Sequence, residues 1–200
     1  MVKNKELVST FDKKVVFVGE KGTGVTSLIA CYVQKTMPCY HSDPICKKSQ
    51  EITIDLGKSK VNLEICDLGQ KTWHERVIDY TETNVFVICC SVEYPASLLR
   101  AYQHWICEIR SYCPYTPVFL VCNKIDLRDD KGVTEKLQQY GLKLISKFAG
   151  EVMSETIKAA GYFETSTLHN FNIDELFKRI AIASLKEKDK SERRCCCNVL

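Results

Sequence analysis

An α/β domain with a mainly parallel sheet is predicted by two features of the sequence. Short β-branched runs alternate with helical patterns along the chain, and the first run ends in a glycine-rich turn that opens a helix. Most of the runs are apolar throughout, as strands covered on both faces are.

Residues 1–13 form a polar leader, and 14–19 read as a buried strand entering a turn. A helix is expected over 26–35. The stretch 37–50, with Pro38 and Pro44 and no period, reads as a loop. Alternating strands at 51–56 and 60–66 are joined through Gly57-Lys58-Ser59 as a hairpin. Apolar runs at 84–91, 117–122 and 162–165 complete a six-stranded sheet, with helical patterns at 96–110, 144–160 and 173–183. Residues 186–200 lose the apolar period and become a charged tail.

Of the 200 residues 45% are hydrophobic, enough for one well-buried core. With 28 basic and 25 acidic residues the charge is too balanced for a nucleic-acid binder, so no nucleic-acid partner is expected. Twelve cysteines could signal a disulfide scaffold. No apolar signal segment opens the chain and no Cys-x-x-Cys pair occurs, so a reducing compartment without structural zinc is expected. Cys31, Cys66, Cys89, Cys90 and Cys122 lie in apolar runs, where a thiol packs as a small hydrophobe. The longest apolar run, 85–92, falls well short of the roughly 18 residues of a spanning helix, so membrane attachment must be covalent.

Strand, glycine turn and helix form a phosphate cradle, because amides at a helix start hold anionic oxygens. The turn contains Gly19, Glu20, Lys21, Gly22, Thr23, Gly24, Val25, Thr26 and Ser27. Against the pattern G-x-x-x-x-G-K-[ST], Gly19, Gly24 and Thr26 fit, and Val25 stands in the lysine position. A plain strand-to-helix turn remains the alternative on this motif alone. Just beyond the run at 117–122 lie Asn123, Lys124, Ile125 and Asp126. A carboxylate there can accept from guanine N1–H and the exocyclic amine together, a donor pair that adenine lacks.

With these motifs in order, the chain resembles the Ras superfamily, and its Rho family in particular, from 14 to 200. Further Rho-like residues are Val61-Asn62-Leu63, Pro95-Ala96-Ser97, Trp105, Leu127-Arg128 and the segment Asp129-Asp130-Lys131 to Thr134-Glu135-Lys136-Leu137, which matches the family's helical insert at about 129–145. Glu164-Thr165-Ser166 resembles the second guanine loop, in which Ser166 and the Thr167 amide steady the base and Asp126. The resemblance implies a small-GTPase domain over 14–185 that binds GTP or GDP with magnesium. It places phosphate on Gly19, Lys21, Gly22, Thr23, Gly24, Val25, Thr26, Ser27 and Gly69, guanine on Asn123, Lys124, Asp126, Ser166 and Thr167, and magnesium on Thr26 and, indirectly, Asp67. Rho-type effectors, exchange factors, dissociation inhibitors, cytoskeletal signalling and a monomeric state are implied in the same way.

Four departures fall on phosphate and metal ligands. Val25 removes the lysine charge, at about 1.5–3 kcal/mol for a charge-assisted bond. Lys21 replaces a glycine beside the γ-phosphate, where it either obstructs attack or swings its ammonium toward the phosphates. Ile45 stands where the family has a magnesium-binding threonine, with Ser42 and Asp43 as alternative oxygens. Asp67-Leu68-Gly69-Gln70 is one residue shorter than Asp-x-x-Gly-Gln, which displaces Gln70, the candidate catalytic residue, by roughly 3 Å of chain. Weakened magnesium binding and impaired hydrolysis are therefore expected.

The final Cys197-Asn198-Val199-Leu200 is a prenylation box of the geranylgeranyl type. One prenyl chain holds reversibly, and the adjacent basic residues are largely offset by Glu187, Asp189 and Glu192. Cys195 and Cys196 are thus candidate palmitoylation sites, and the expected location is the cytoplasmic face of a cell membrane with a cytosolic pool. The leading expectation is a guanine-nucleotide-binding signalling protein with little hydrolysis. A working GTPase rescued by Lys21, and a nucleotide-free scaffold, remain as alternatives.

Overall fold

The computed structural model describes residues 9–35, 49–69 and 71–186. Strand β1 (Ser9–Gly19) leads into helix α1 (Val25–Gln34), followed by the hairpin of β2 (Ser49–Asp55) and β3 (Ser59–Asp67). Helix α2 (Trp73–Asp79) precedes β4 (Thr83–Ser91), and α3 (Pro95–Arg100) continues through a π-helical turn at Ala101–Trp105 into α4 (Ile106–Tyr112). Then come β5 (Val118–Asn123), a 3-10 turn (Ile125–Asp129), α5 (Lys131–Gln139), α6 (Lys147–Thr156), β6 (Gly161–Glu164) and α7 (Ile173–Ser184). The six strands lie in the order β2-β3-β1-β4-β5-β6, all parallel except β2, as the sequence predicts.

Alternation along the central strands feeds two cores. Val15 and Phe17 of β1, Val85 and Val87 of β4 and Val121 of β5 face α1 and α7, while Val16, Val18, Phe86, Ile88 and Leu120 face the opposite layer. The five cysteines expected in the core are all buried and free. Burial pushes the Cys66 thiol up to about 11 and the Cys122 thiol up to about 12, so both stay protonated and act as packing groups.

Three sequence expectations need correction. The leader does not run to residue 13, because β1 begins at Ser9 and its first half pairs with β3 from Ser9↔Ser59 onward. The helix expected over 144–160 starts at Lys147, because Ser146 takes the N-cap and accepts from the Ala149 amide at 3.1 Å. Residues just before the cap take no regular structure, and the Ile145 amide is bonded to the Val92 carbonyl at 3.0 Å. Helix α2, for which the sequence shows no clear period, was missed. The predicted insert contains α5, capped by Asp130. Arg128 anchors the insert's base, with a bidentate pair to Glu164 on β6 at 2.9 and 2.5 Å.

Helix α2 is bolted to α4 by a buried charge cluster. Arg76 donates through Nε and Nη2 to the Glu108 carboxylate at 2.8 and 2.6 Å, and the Tyr80 hydroxyl donates to the same group at 2.5 Å. The guanidinium also lies 4.9 Å from the Trp105 ring centre and donates to the Lys71 carbonyl at 2.6 Å. A planar, five-donor group is needed to satisfy all of these acceptors, which lysine could not do.

Candidate nucleotide-binding site

The carboxyl ends of β1, β3, β5 and β6 deliver four loops to one end of the sheet, where open α/β folds hold ligands. The loop after β1 is wound tightly: the Thr23 amide and hydroxyl both donate to the Glu20 carbonyl, at 3.1 and 2.8 Å. Gly22 and Gly24 each sit at φ +88°, in the left-handed region that side chains rarely enter. A Cβ on Gly24 would lie 2.5 Å from Asn123 Nδ2, so this glycine is required by space as well as by φ.

Asn123 is the strap between loops. Its Nδ2 donates to the Thr23 carbonyl at 3.3 Å, and its Oδ1 accepts from the Thr165 hydroxyl at 3.1 Å. The side chain is fully buried, so both bonds matter to the fold as well as to the site. Ser166 donates to Asp126 Oδ1, which fixes the carboxylate and leaves Oδ2 without a partner among the described residues. The Ile125 amide, bonded to the Thr165 carbonyl at 3.2 Å, joins the same two loops. Lys124 adopts φ +61° and pairs with Glu93 at 2.5 Å. Thr167 is buried, and its carbonyl accepts from the Cys31 thiol at 3.7 Å.

The phosphate and metal side is different in character. Thr26 Oγ donates to Asp67 Oδ2 at 2.6 Å, and the Gly69 amide donates to Asp67 Oδ1 at 3.2 Å. Both carboxylate oxygens are thereby engaged, and the amide expected to read a γ-phosphate turns back on its own loop. Leu68 fixes this turn: it is fully buried, and its amide bonds to the Phe17 carbonyl at 3.0 Å. Val25 is 6% exposed and packs into the core layer with α7, while Lys21 is exposed and Ser27 partly buried. Gln70, Ile45, Ser42, Asp43, Cys195, Cys196 and Cys197 lie outside the described residues.

The residues present fit the groups that the sequence implies. Two left-handed glycines and the start of a ten-residue helix suit a phosphate chain. Asp126, held from one side, suits guanine. The Thr26 hydroxyl and the Asp67 carboxylate supply the hard oxygens that magnesium takes. The sequence missed Thr165, Glu93 and Arg100, whose Nε donates to the Glu20 carboxylate at 3.2 Å. Thr165 had a signal, since it lies within the Glu164-Thr165-Ser166 loop; the other two join distant segments and had none.

This fold and this site define a guanine-nucleotide-binding domain of the small-GTPase class. The Ras family model matches residues 14–186. The GTP-binding protein RHO1 of Candida albicans is 32% identical over 190 residues, spanning 94% of this chain and 96% of that protein. The chain belongs to the Ras family as a Rho-type small GTPase, a class that binds GTP and GDP with magnesium.

Proposed function

We propose that this chain is a membrane-tethered, Rho-type signalling protein that binds guanine nucleotide but hydrolyses GTP weakly or not at all, and whose GTP and GDP forms differ little. The observation that carries this reading is the split between the two halves of the site. On the guanine side Asn123, Asp126 and Ser166 are tied together with Thr165 by hydrogen bonds between the loops, which supports a formed base site. The phosphate side has a buried valine in place of an ammonium and a Gly69 amide turned to Asp67.

Thr26 and Asp67 would hold magnesium, which when bound screens the charge of the phosphates. Everything else falls to the loop amides and to Lys21. A switch needs contacts that differ between its two ligands, and moving a population from 1:99 to 99:1 takes about 5.5 kcal/mol. Loss of the lysine contact, at about 1.5–3 kcal/mol, together with a diverted Gly69 amide, leaves too little. Helix α2 also has its own anchor in Glu108, with no call on the nucleotide.

Two measurements test this. With purified protein and magnesium, GTP should not be converted to GDP above the rate of nucleotide alone, and turnover abolished by Lys21→Ala would refute the reading. Hydrogen exchange over 37–50 and 67–80 should be nearly the same with GDP and with a non-hydrolysable GTP analogue. Strong protection by the analogue alone would show that the γ-phosphate is read.

Tethering follows from the Cys197 box. Cys197→Ser should move the protein from the membrane to the soluble fraction of cells, and a mutant that stayed with the membrane would contradict the lipid assignment.

A further inference from the structure

A carboxylate inside a phosphate-binding loop is an electrostatic problem, because it repels the ligand that the loop exists to hold. Glu20 is such a residue. Its carbonyl accepts both bonds from Thr23, so its backbone is fixed within the loop. Its side chain is 23% exposed, and Arg100, the last residue of α3, donates to its carboxylate through Nε at 3.2 Å. The neighbouring Lys21 is exposed and has no ion-pair partner among the described residues.

These charges add up in an informative way. Val25 contributes none, Glu20 and Arg100 cancel, and Lys21 is left as the net positive charge of the loop. We propose that Arg100 is a positioning residue of the phosphate site: it neutralises Glu20 and holds that carboxylate toward α3, so that the loop sets no uncovered negative charge against the phosphates of a bound nucleotide. The bond spans two elements far apart in sequence, and α3 has no other acidic partner for Arg100 among the described ion pairs. The inference rests on the reading of this loop as a nucleotide site.

Equilibrium affinities for GDP and a non-hydrolysable GTP analogue, measured with magnesium on the full chain, test it. Arg100→Gln should weaken the analogue about tenfold and GDP about threefold, because an uncovered carboxylate repels the more highly charged ligand more. The loss should shrink at high salt. Arg100→Lys should keep most of the affinity, and the double variant Glu20→Gln, Arg100→Gln should return close to the wild type. A purely structural role for Arg100 would not be rescued by removing Glu20. An Arg100→Gln protein within twofold of the wild type for both ligands, or a double variant as weak as the single one, would overturn the proposal. A wild type that binds neither nucleotide would instead overturn the functional reading, and this inference with it.

Discussion

Glu108→Ala is expected to destabilise the protein by about 3–5 kcal/mol, because it strands the Arg76 guanidinium in a nearly dry site and removes the acceptor of the Tyr80 hydroxyl. For a domain of this size that lowers the melting temperature by about 6–20 °C, which thermal unfolding followed by circular dichroism will read. The side chains of the pair are only 9% and 5% exposed, so little solvent screening is available to soften the loss. Replacing both partners with apolar residues, Arg76→Met with Glu108→Leu, should cost less than the single change, since no buried charge is then left alone. A Glu108→Ala protein that melted within a degree or two of the wild type would show that the cluster does not hold α2.

The same group carries a pH signature. Burial pushes the Glu108 carboxyl up, but the hydrogen bonds from Arg76 and Tyr80 outweigh it and hold the group below the usual carboxylate range. Its stabilisation is therefore fully present above the unfolded carboxylate value, about 4.3, and is lost as pH falls through the folded value.

The second large effect is expected at Asp126. GDP or GTP should protect the wild type from thermal unfolding more than adenine nucleotides do, by about 2.7 kcal/mol at a hundredfold excess over Kd. Asp126→Ala removes the acceptor for the guanine donor pair and should cancel that preference, a loss of about ten- to a hundredfold in guanine affinity. The variant should still fold. The strap between loops runs through Asn123, whose bonds to Thr23 and Thr165 do not involve Asp126. Equal protection of the wild type by ATP and GTP would contradict the assignment of the base site.

Most of the sheet could be read in the sequence because its strands are covered on both sides and therefore appear as unbroken apolar runs. Val15 to Val18 and Val85 to Cys90 are such runs, and they fall in β1 and β4. Helix α2 could not be read, because its short segment carries Trp73 and Ile78 exposed and buries an arginine instead. Its stability comes from Glu108, thirty-two positions from Arg76, which no local pattern reports. The front half of β1 was missed for a similar reason. Thr10, Asp12 and Lys13 look like a polar leader, yet their backbone pairs with β3 on a solvated face.

At the site, residues whose chemistry lies in one short motif were legible: Asn123 and Asp126, the glycines of the phosphate loop, and Ser166. What was not legible is how the shortened loop closes. The sequence shows that a residue is missing between Asp67 and Gly69, but only the fold shows that Leu68 is drawn into the core and the Gly69 amide turned onto Asp67. Equally, the sequence shows Val25 in place of a lysine, and the structure adds that its side chain packs inward with the α7 layer. The charge balance of Glu20, Lys21 and Arg100 depends on a contact between the loop after β1 and α3 that sequence spacing does not encode.

The central claim is that a chain with an intact base site and an altered phosphate site still holds guanine nucleotide. It is tested most directly by denaturing the purified full-length protein and identifying what is released. The account predicts GDP or GTP at close to one per protein, with no adenine nucleotide. Release of no nucleotide from folded protein, or of adenine nucleotide in its place, would contradict it.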